Sequence, residues 1–231
     1  MSEGVDSAGQ GREKRGAGIA FVISAPSGTG KTTLLKKVIE TLPDLKFSIS
    51  YTTRSPRANE QEGEDYHFVS SDRFEEMVER GEFLEWAEVV GNRYGTPKAS
   101  IERLAAEGFD LLLDIDTQGA KKVREKFGHC ILIFLLPPSY EALRERLVTR
   151  GLDSPEVIRN RLANAKREIE EARWYHYVIV NERVEEAEET LKAIIAAERC
   201  RRHKERTLKE KEKEWEEAYG KNHGGRLSED R

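Results

Sequence analysis

The segment Ser24–Thr33, SAPSGTGKTT, places two glycines, a lysine and adjacent threonines between an apolar run and a helical pattern. It matches the phosphate-binding pattern G-x-x-x-x-G-K-[ST] except at the first position, where Ala25 replaces glycine. Gly28 and Gly30 can adopt the positive φ angles that let successive backbone N–H groups surround an anion. A helix that starts after them directs the positive end of its dipole to the same place. The segment predicts a nucleoside triphosphate site, whereas the alternative is a glycine-rich turn between a strand and a helix.

Side chains in and near this loop suit a triphosphate with its magnesium ion. Lys31 supplies a positive charge for the phosphates, and the Thr32 hydroxyl offers a hard oxygen ligand for Mg²⁺. The predicted phosphate-binding residues are Ser27, Gly28, Thr29, Gly30, Lys31, Thr32 and Thr33. Residues 111–116, LLLDID, carry two carboxylates, and Asp114 or Asp116 could hold the metal through water. Asp116 could instead cap the helix that begins near Thr117, and the sequence leaves this choice open.

A second group of anion-binding side chains lies in residues 50–57, SYTTRSPR. Arg54 and Arg57 are three residues apart, and Pro56 stiffens the turn between them, which suits bidentate capture of a second phosphate. Tyr66 and Tyr94 could add phenolic donors. Two exposed arginines beside a proline are also a common surface feature, so this pair alone is a weak signal.

The elements that must position these residues follow a regular alternation. Apolar strand patterns at residues 19–24, 46–50, 109–115, 129–135 and 176–180 are separated by helical patterns. Such alternation predicts a parallel sheet with helices on both faces. Residues 51–98 interrupt it with short strand-like pieces at 66–69 and 83–90 around a helix at 72–80, which indicates a small inserted lobe. At a second interruption, Ser154 is the predicted N-cap and Pro155 the first residue of a helix.

Composition and the two tails narrow the function classes. The 231 residues carry a net charge of −4, which indicates neither nucleic acid nor any other charged partner. Residues 1–18 are rich in glycine, serine and charge and are expected to be a disordered leader. A single helix is predicted beyond Val184; its charged part mixes both signs, which favours a solvated helix over a partner-binding arm. Two isolated cysteines and the lack of a long apolar stretch lead us to expect a cytoplasmic protein without a membrane span.

Four segments in this order resemble the guanylate kinase family: SAPSGTGKTTL, SYTTRSPRANEQEGEDYHFVS, FLEWAEVVGNRYGTP and LLLDIDTQGA. The resemblance extends over about residues 19–199. It implies an α/β P-loop nucleoside-monophosphate kinase fold, with a parallel sheet flanked by helices, an inserted α+β lobe that binds GMP, and a helical lid. The implied core is residues 19–50 and 99–199, with the lid at about 138–165, the lobe at 51–98, and a charged helix and tail at 200–231.

The implied reaction transfers the γ-phosphoryl group of MgATP to GMP, and by the same contacts to dGMP, with Mg²⁺ as the cofactor. The resemblance places the GMP phosphate contacts on Ser50, Arg54, Arg57, Tyr66 and Tyr94, and the guanine contacts on Glu85, Thr96 and Asp114. A carboxylate can accept both the N1–H and the exocyclic amine of guanine, and a hydroxyl can satisfy O6. AMP lacks this pairing, so such a site should reject it strongly.

The resemblance also implies roles for the lid and the adenine side. Arg150 and Arg161 are expected to close on the triphosphate, with Arg146 as a helper, and Asn181 is expected on the adenine side. The predicted catalytic residues are Lys31, Arg54, Arg57, Arg150 and Arg161. Phosphoryl transfer needs positioning and charge neutralisation, so no dedicated general base is predicted.

Two other functions are compatible with this fold. Some guanylate-kinase-like domains have lost catalysis and bind phosphorylated peptides, but such a scaffold has no use for Lys31, Thr32 and the glycine pair. A kinase of the same fold could act on another monophosphate, although Glu85 with Thr96 favours guanine. The expected partners are therefore ATP and GMP, and the sequence leaves open whether the chain forms a homo-oligomer.

Overall fold

The computed structural model describes residues 17–57, 60–89, 91–127, 130–151 and 153–223. They form two compact units, one that ends at Glu189 and one that begins at Thr190. The predicted leader, except for residues 17 and 18, lies outside the described residues. The strands are β1 Ala20–Ser24, β2 Leu45–Ser48, β3 Tyr51–Thr52, β4 His67–Phe68, β5 Phe83–Val89, β6 Asn92–Pro97, β7 Asp110–Asp114, β8 Cys130–Leu136 and β9 Tyr177–Val180. The helices are α1 Lys31–Thr41, α2 Ser71–Glu79, α3 Lys98–Ala106, α4 Thr117–Phe127, α5 Tyr140–Thr149, α6 Pro155–Glu171 and α7 Val184–His223, with a 3₁₀ turn at Ala172–Trp174.

The main sheet has the strand order β2-β7-β1-β8-β9, and all its strand pairs are parallel. Every residue of β1 is buried, as expected for a central strand covered by helices on both faces. The predicted parallel sheet flanked by helices is confirmed, with strand ends shifted by a few residues. Asp114 of β7 lies opposite Ile23 of β1, so the carboxyl ends of these two strands, where α/β proteins bind ligands, are neighbours.

The inserted segment forms a second sheet with the order β4-β3-β6-β5. Strands β5 and β6 are antiparallel, and Val89 is paired with Asn92. The sequence pattern did not predict β6 as a separate strand, because NRYGTP contains three residue types that are depleted in strands. Its pairing with β3 and β5 overrides this local preference.

A small aromatic core holds this segment together. Phe74 of α2 is fully buried, and its ring stacks on that of Phe83 at 4.6 Å between centroids. Met77 and the partly buried Tyr51 complete the cluster. Ser70 caps α2 by accepting a hydrogen bond from the backbone N–H of Arg73, which fixes where the helix begins.

Helices α5 and α6 form a hairpin next to the main sheet. The Ser154 hydroxyl accepts a hydrogen bond from the backbone N–H of Val157 at 3.4 Å, and Pro155 is the first helical residue, as predicted. The two helices bury Leu143, Leu147 and Leu162 between them. Arg146 of α5 and Arg161 of α6 lie on helix faces that do not take part in this packing.

Helix α7 runs for 40 residues and confirms the predicted long helix. In the second unit its charges are paired along the helix, for example Arg201 with Glu205 and Lys213 with Glu217. Leu208 and Trp215 are exposed between these pairs. In the described part of the chain, no helix is both long and apolar enough to cross a membrane.

The aromatic core of the inserted segment yields a stability prediction. Replacing Phe74 by alanine should lower the free energy of unfolding by about 3–5 kcal/mol, because it leaves a cavity where a fully buried ring stacks on Phe83. Urea denaturation measures the loss. The matched control is Leu208→Ala, which removes an exposed side chain and should change stability by less than about 0.5 kcal/mol. Equal effects of the two variants would contradict the packing described above.

Candidate active site

The loop between β1 and α1 has the conformation that anion binding requires. Gly28 and Gly30 have φ angles of 93° and 95°, which confirms the predicted positive φ at both glycines. No side chain caps the start of α1 at Lys31, so its first backbone N–H groups remain available to a ligand. The loop therefore forms an electropositive cradle at the carboxyl end of β1.

Neighbouring elements hold this cradle from behind. The Thr29 hydroxyl donates to the carbonyl of Pro26 at 2.7 Å, so the side chain braces the loop and only its backbone faces a ligand. The carbonyl of Thr29 accepts from Arg146 Nη1 at 3.0 Å and from Asn181 Nδ2 at 2.7 Å. Asn181 is buried and is not among the residues that line the cleft. Its amide supports the loop in this structure, and its contact on the adenine side stays a prediction.

The two carboxylates after β7 have different partners. Asp114 forms an ion pair with the Lys31 ammonium. Asp116 Oδ1 accepts from the backbone N–H groups of Gln118 at 2.7 Å and Gly119 at 2.9 Å, so it caps α4. Of the two alternatives that the sequence left open for Asp116, the structure contains the helix cap. Both side chains nevertheless line the cleft next to the loop.

Arg54 lies at the centre of a network opposite the loop. Its two terminal nitrogens donate to the two carboxylate oxygens of Glu60, each at 2.9 Å, and its Nε donates to the Tyr94 hydroxyl at 3.3 Å. Glu60 also accepts from the backbone N–H of Arg57 at 2.8 Å. Burial favours a higher pKa for Glu60, but the hydrogen bonds from Arg54 and Arg57 outweigh it and lower the pKa. Sequence reasoning missed Glu60, which organises the arginine pair.

Arg57 keeps more of its charge uncompensated than Arg54. Partial burial, followed by repulsion from Arg54 and Arg150, lowers the pKa of the Arg57 guanidinium. The distance from Arg57 Nη1 to Glu60 Oε1 is 3.6 Å, which is longer than a hydrogen bond. Arg150 pairs with no carboxylate within the described residues, although it lines the same cleft. This corner therefore carries the net positive charge that an anion would neutralise.

Glu85 and Thr96 form the most buried polar pair of the cleft. Thr96 Oγ1 donates to Glu85 Oε1 at 2.5 Å, and both residues are at most 5% exposed. Burial raises the pKa of Glu85 to about 7, with Asp116 adding to the shift and the Thr96 hydrogen bond opposing it. No donor in the described part of the chain reaches Glu85 Oε2, which leaves one carboxylate oxygen available.

Helix α6 presents one face to the cleft. Arg161, Asn164 and Glu168 lie on that face at spacings of three and four residues, and all three line the cleft. Arg161 donates to the Ser27 hydroxyl at 2.5 Å and is paired with Asp153 at 3.2 Å. Burial raises the pKa of Glu168 to about 7, opposed by Lys31 and supported by Asp116. Asn164 and Glu168 were not predicted, although helical spacing from Arg161 would have indicated them.

A single cleft of about 610 Å³ joins these groups. It is lined by the β1–α1 loop, by the arginine network of the inserted segment and by helices α5 and α6 with the end of α5 at Arg150. Of the residues predicted from the sequence, all except Asn181 lie on its surface: Ser27, Gly28, Thr29, Gly30, Lys31, Thr32, Thr33, Ser50, Arg54, Arg57, Tyr66, Glu85, Tyr94, Thr96, Asp114, Asp116, Arg146, Arg150 and Arg161. The two predicted phosphate-binding groups therefore share one space.

Similarity to known proteins extends over most of the chain. A family model described as guanylate kinase matches residues 18–198. The chain is 53% identical over 184 residues to guanylate kinase of Geobacter metallireducens, a match that covers 80% of this chain and 91% of the relative. It is 45% identical over 206 residues to guanylate kinase of Clostridium perfringens, covering 88% of this chain and 95% of the relative. The crystal structure of guanylate kinase from Anaplasma phagocytophilum matches with a TM-score of 0.68 and 38% identity, covering 80% of this chain and 87% of that chain.

The two buried carboxylates of the cleft yield a titration prediction. Glu85 and Glu168 should each titrate near pH 7, because burial disfavours their charged forms, whereas Glu60 should titrate below its ordinary range. Carboxyl ¹³C NMR of the glutamate side chains measures these values. Glu85→Gln and Glu168→Gln should each remove one of the two high titrations. A spectrum in which no glutamate titrates above pH 6 would contradict the burial of both groups.

Proposed function

This chain belongs to the guanylate kinase family, and from that premise we propose how its cleft divides between two nucleotides. Its activity is the phosphorylation of GMP by ATP. The observation that carries the division is the single cleft, which the β1–α1 loop lines together with the arginine pair Arg54 and Arg57 and the buried Glu85. The loop side takes the phosphates of ATP, and the inserted lobe takes GMP.

On the donor side, the backbone N–H groups at the start of α1 bind the phosphates of ATP. The positive φ angles of Gly28 and Gly30 support this role, because they turn successive N–H groups toward one point. Lys31 adds its ammonium, which is paired with Asp114 in this structure. Phosphate oxygens replace Asp114 as the partner of Lys31 when ATP binds.

The residues near the loop fit a magnesium ion that is carried by the nucleotide. The Thr32 hydroxyl lines the cleft and has no hydrogen-bond partner among the described residues, so a hard oxygen is available. Asp116, which uses Oδ1 for the helix cap, or Asp114 would contact the ion through water. The described residues include no cluster of three His, Cys, Asp or Glu side chains that could hold a metal ion. When bound, the ion neutralises negative charge on the β- and γ-phosphates.

On the acceptor side, Arg54, Arg57 and Tyr94 bind the phosphate of GMP, with Ser50 and Tyr66 beside them. The excess of positive charge at Arg57 and Arg150 supports this assignment, because it is the part of the cleft where carboxylates compensate the cations least. Glu60 holds the Arg54 guanidinium in place through two parallel hydrogen bonds, which fixes its orientation before GMP arrives.

Glu85 and Thr96 read the guanine base, with Asp114 at the edge of the same space. The available Oε2 of Glu85 accepts a donor of guanine, and ionised Glu85 can accept both N1–H and the exocyclic amine. A hydroxyl has one proton, and Thr96 donates it to Glu85 in this structure. Thr96 can donate to guanine O6 only after guanine has taken over that carboxylate oxygen, so the two contacts form together.

Catalysis follows from position and charge. Lys31, Arg150 and Arg161 surround the transferred group, while Arg54 and Arg57 hold the acceptor in line. Removing one such donor from a preorganised site costs about 2.7–4 kcal/mol of transition-state stabilisation. Phosphoryl transfer through a loose transition state needs little proton transfer in advance, so no general base is assigned.

A substrate panel tests this function against the two rivals. Coupled assays with ATP and GMP, dGMP, AMP or UMP should show turnover with GMP and dGMP, and less by several orders of magnitude with AMP, because AMP offers Glu85 no N1–H. Turnover with AMP or UMP but not with GMP would indicate a kinase for another monophosphate. No turnover on any of them would indicate a binding scaffold instead.

The role of the loop lysine yields a second test. Lys31→Ala should lower kcat by about 10²–10³-fold, because it removes one preorganised cation from the transferred group. Affinity for GMP, measured by calorimetry, should change little, since Arg54 and Arg57 remain. The matched control is Lys37→Ala on the same helix, whose ammonium lies 3.5 Å from Glu185 outside the cleft. If Lys31→Ala had the same kcat as the Lys37→Ala control, the ATP phosphates would not bind at this loop.

A further inference from the structure

The carboxylate of Glu85 lies directly against a glycine of the core helix α4. A Cβ atom built on Gly119 would lie 2.5 Å from Glu85 Oε2 and 2.4 Å from Ile115 Cγ2. Both distances are far below normal contact, so any side chain at this position must displace both the Glu85 carboxylate and the Ile115 methyl group. The glycine therefore provides the space that the carboxylate occupies.

The same helix holds the strand that carries Glu85. The Lys122 ammonium donates a hydrogen bond to the carbonyl of Trp86, and the Lys126 ammonium donates one to the carbonyl of Leu84 at 2.7 Å. These carbonyls belong to the residues immediately before and after Glu85 in β5. Because Gly119, Lys122 and Lys126 are three and four residues apart, they share one face of α4. One face of α4 thus contacts the backbone of β5 on both sides of Glu85. Between these two contacts, the same face lies against the Glu85 carboxylate.

The start of this helix is itself fixed. The backbone N–H of Gly119 donates to Asp116 Oδ1 at 2.9 Å, which ties the first turn of α4 to the end of β7. Ala120 and Val123 on the inner side of the helix are fully buried in the main core. The helix cannot move away from Glu85 without disturbing both the cap and this packing.

We propose that α4 sets the base selectivity of the acceptor site, with Gly119, Lys122 and Lys126 as positioning residues for Glu85. The proposal rests on the proposed role of Glu85 in accepting the guanine donors. Ile115 is buried in the core, and Glu85 is the end of a longer side chain that opens to the cleft. A methyl group at position 119 therefore displaces the carboxylate, which then misses the N1–H and amine of guanine.

The test compares Michaelis constants for the two substrates. Gly119→Ala should raise the KM for GMP by about tenfold or more, with the KM for ATP changed less than about twofold, because the displaced carboxylate belongs to the proposed guanine contact and not to the ATP side. Shortening the carboxylate in the double variant Gly119→Ala/Glu85→Asp should recover part of the KM for GMP, since it withdraws the oxygen from the new methyl group. A purely structural defect would affect both substrates and would not be rescued.

The lysines provide a second readout that does not depend on packing at Gly119. Lys122→Ala and Lys126→Ala should each raise the KM for GMP without a matching effect on ATP, because β5 loses a contact beside Glu85. The matched control is Lys121→Ala, whose ammonium is paired with Glu171 and does not contact β5. It should leave both Michaelis constants unchanged.

Glu85→Gln separates failure of this inference from failure of the proposed function. If Glu85→Gln raises the KM for GMP while Gly119→Ala and both lysine variants do not, α4 does not position the carboxylate and the inference is wrong. If Glu85→Gln leaves the KM for GMP unchanged, the guanine role of Glu85 is wrong, and the inference fails with it. Selective loss of GMP affinity in all of these variants, with rescue by the double variant, supports both.

Discussion

The cleft concentrates cations, and the chain compensates most of them with its own carboxylates. Lys31 is paired with Asp114, Arg54 with Glu60, and Arg161 with Asp153, so each of three predicted phosphate-binding groups has a resident anion. Without these partners, the mutual repulsion of the guanidinium and ammonium groups would oppose folding of the site. Partial burial, followed by repulsion from Arg54 and Arg150, lowers the pKa of the Arg57 guanidinium, so part of this repulsion remains uncompensated.

This pairing also explains how the cations can be ordered before nucleotide binds. A long side chain that must be immobilised by its ligand loses rotamer freedom at that moment, whereas a guanidinium held by two hydrogen bonds has already lost it. Glu60 holds Arg54 in this way, and Asp153 holds Arg161 against Ser27 of the loop. Phosphates that displace or join these carboxylates bind to cations that are already in position. The net binding free energy is then the difference between the ion pairs with phosphate and the ion pairs with the carboxylates.

The sequence predicts local features of this site well and its long-range supports poorly. The loop glycines, the buried strands and the Ser154 cap follow from short patterns, and all appear in the structure. Asn181, in contrast, contacts a residue 152 positions away, and no local pattern indicates that it donates to the carbonyl of Thr29. Glu60 and Asp153 look like ordinary surface acids in the sequence. Strand β6 exists only because partners on both sides supply its hydrogen bonds.

In the site that we propose, selectivity for the acceptor base depends on one buried oxygen of Glu85 that no donor among the described residues reaches. A fully satisfied carboxylate at Glu85 would gain nothing from guanine, and one without Thr96 would be costlier still to bury in its charged form. Glu85 lies between these two cases. Burial raises its pKa to about 7, while Thr96 and the two lysines of α4 oppose the rise. Guanine completes the hydrogen bonds of the ionised form, whereas adenine would leave the charge buried and unmatched. Because β5 carries the carboxylate and α4 of the core determines its place, discrimination between bases depends on how the inserted lobe contacts the core.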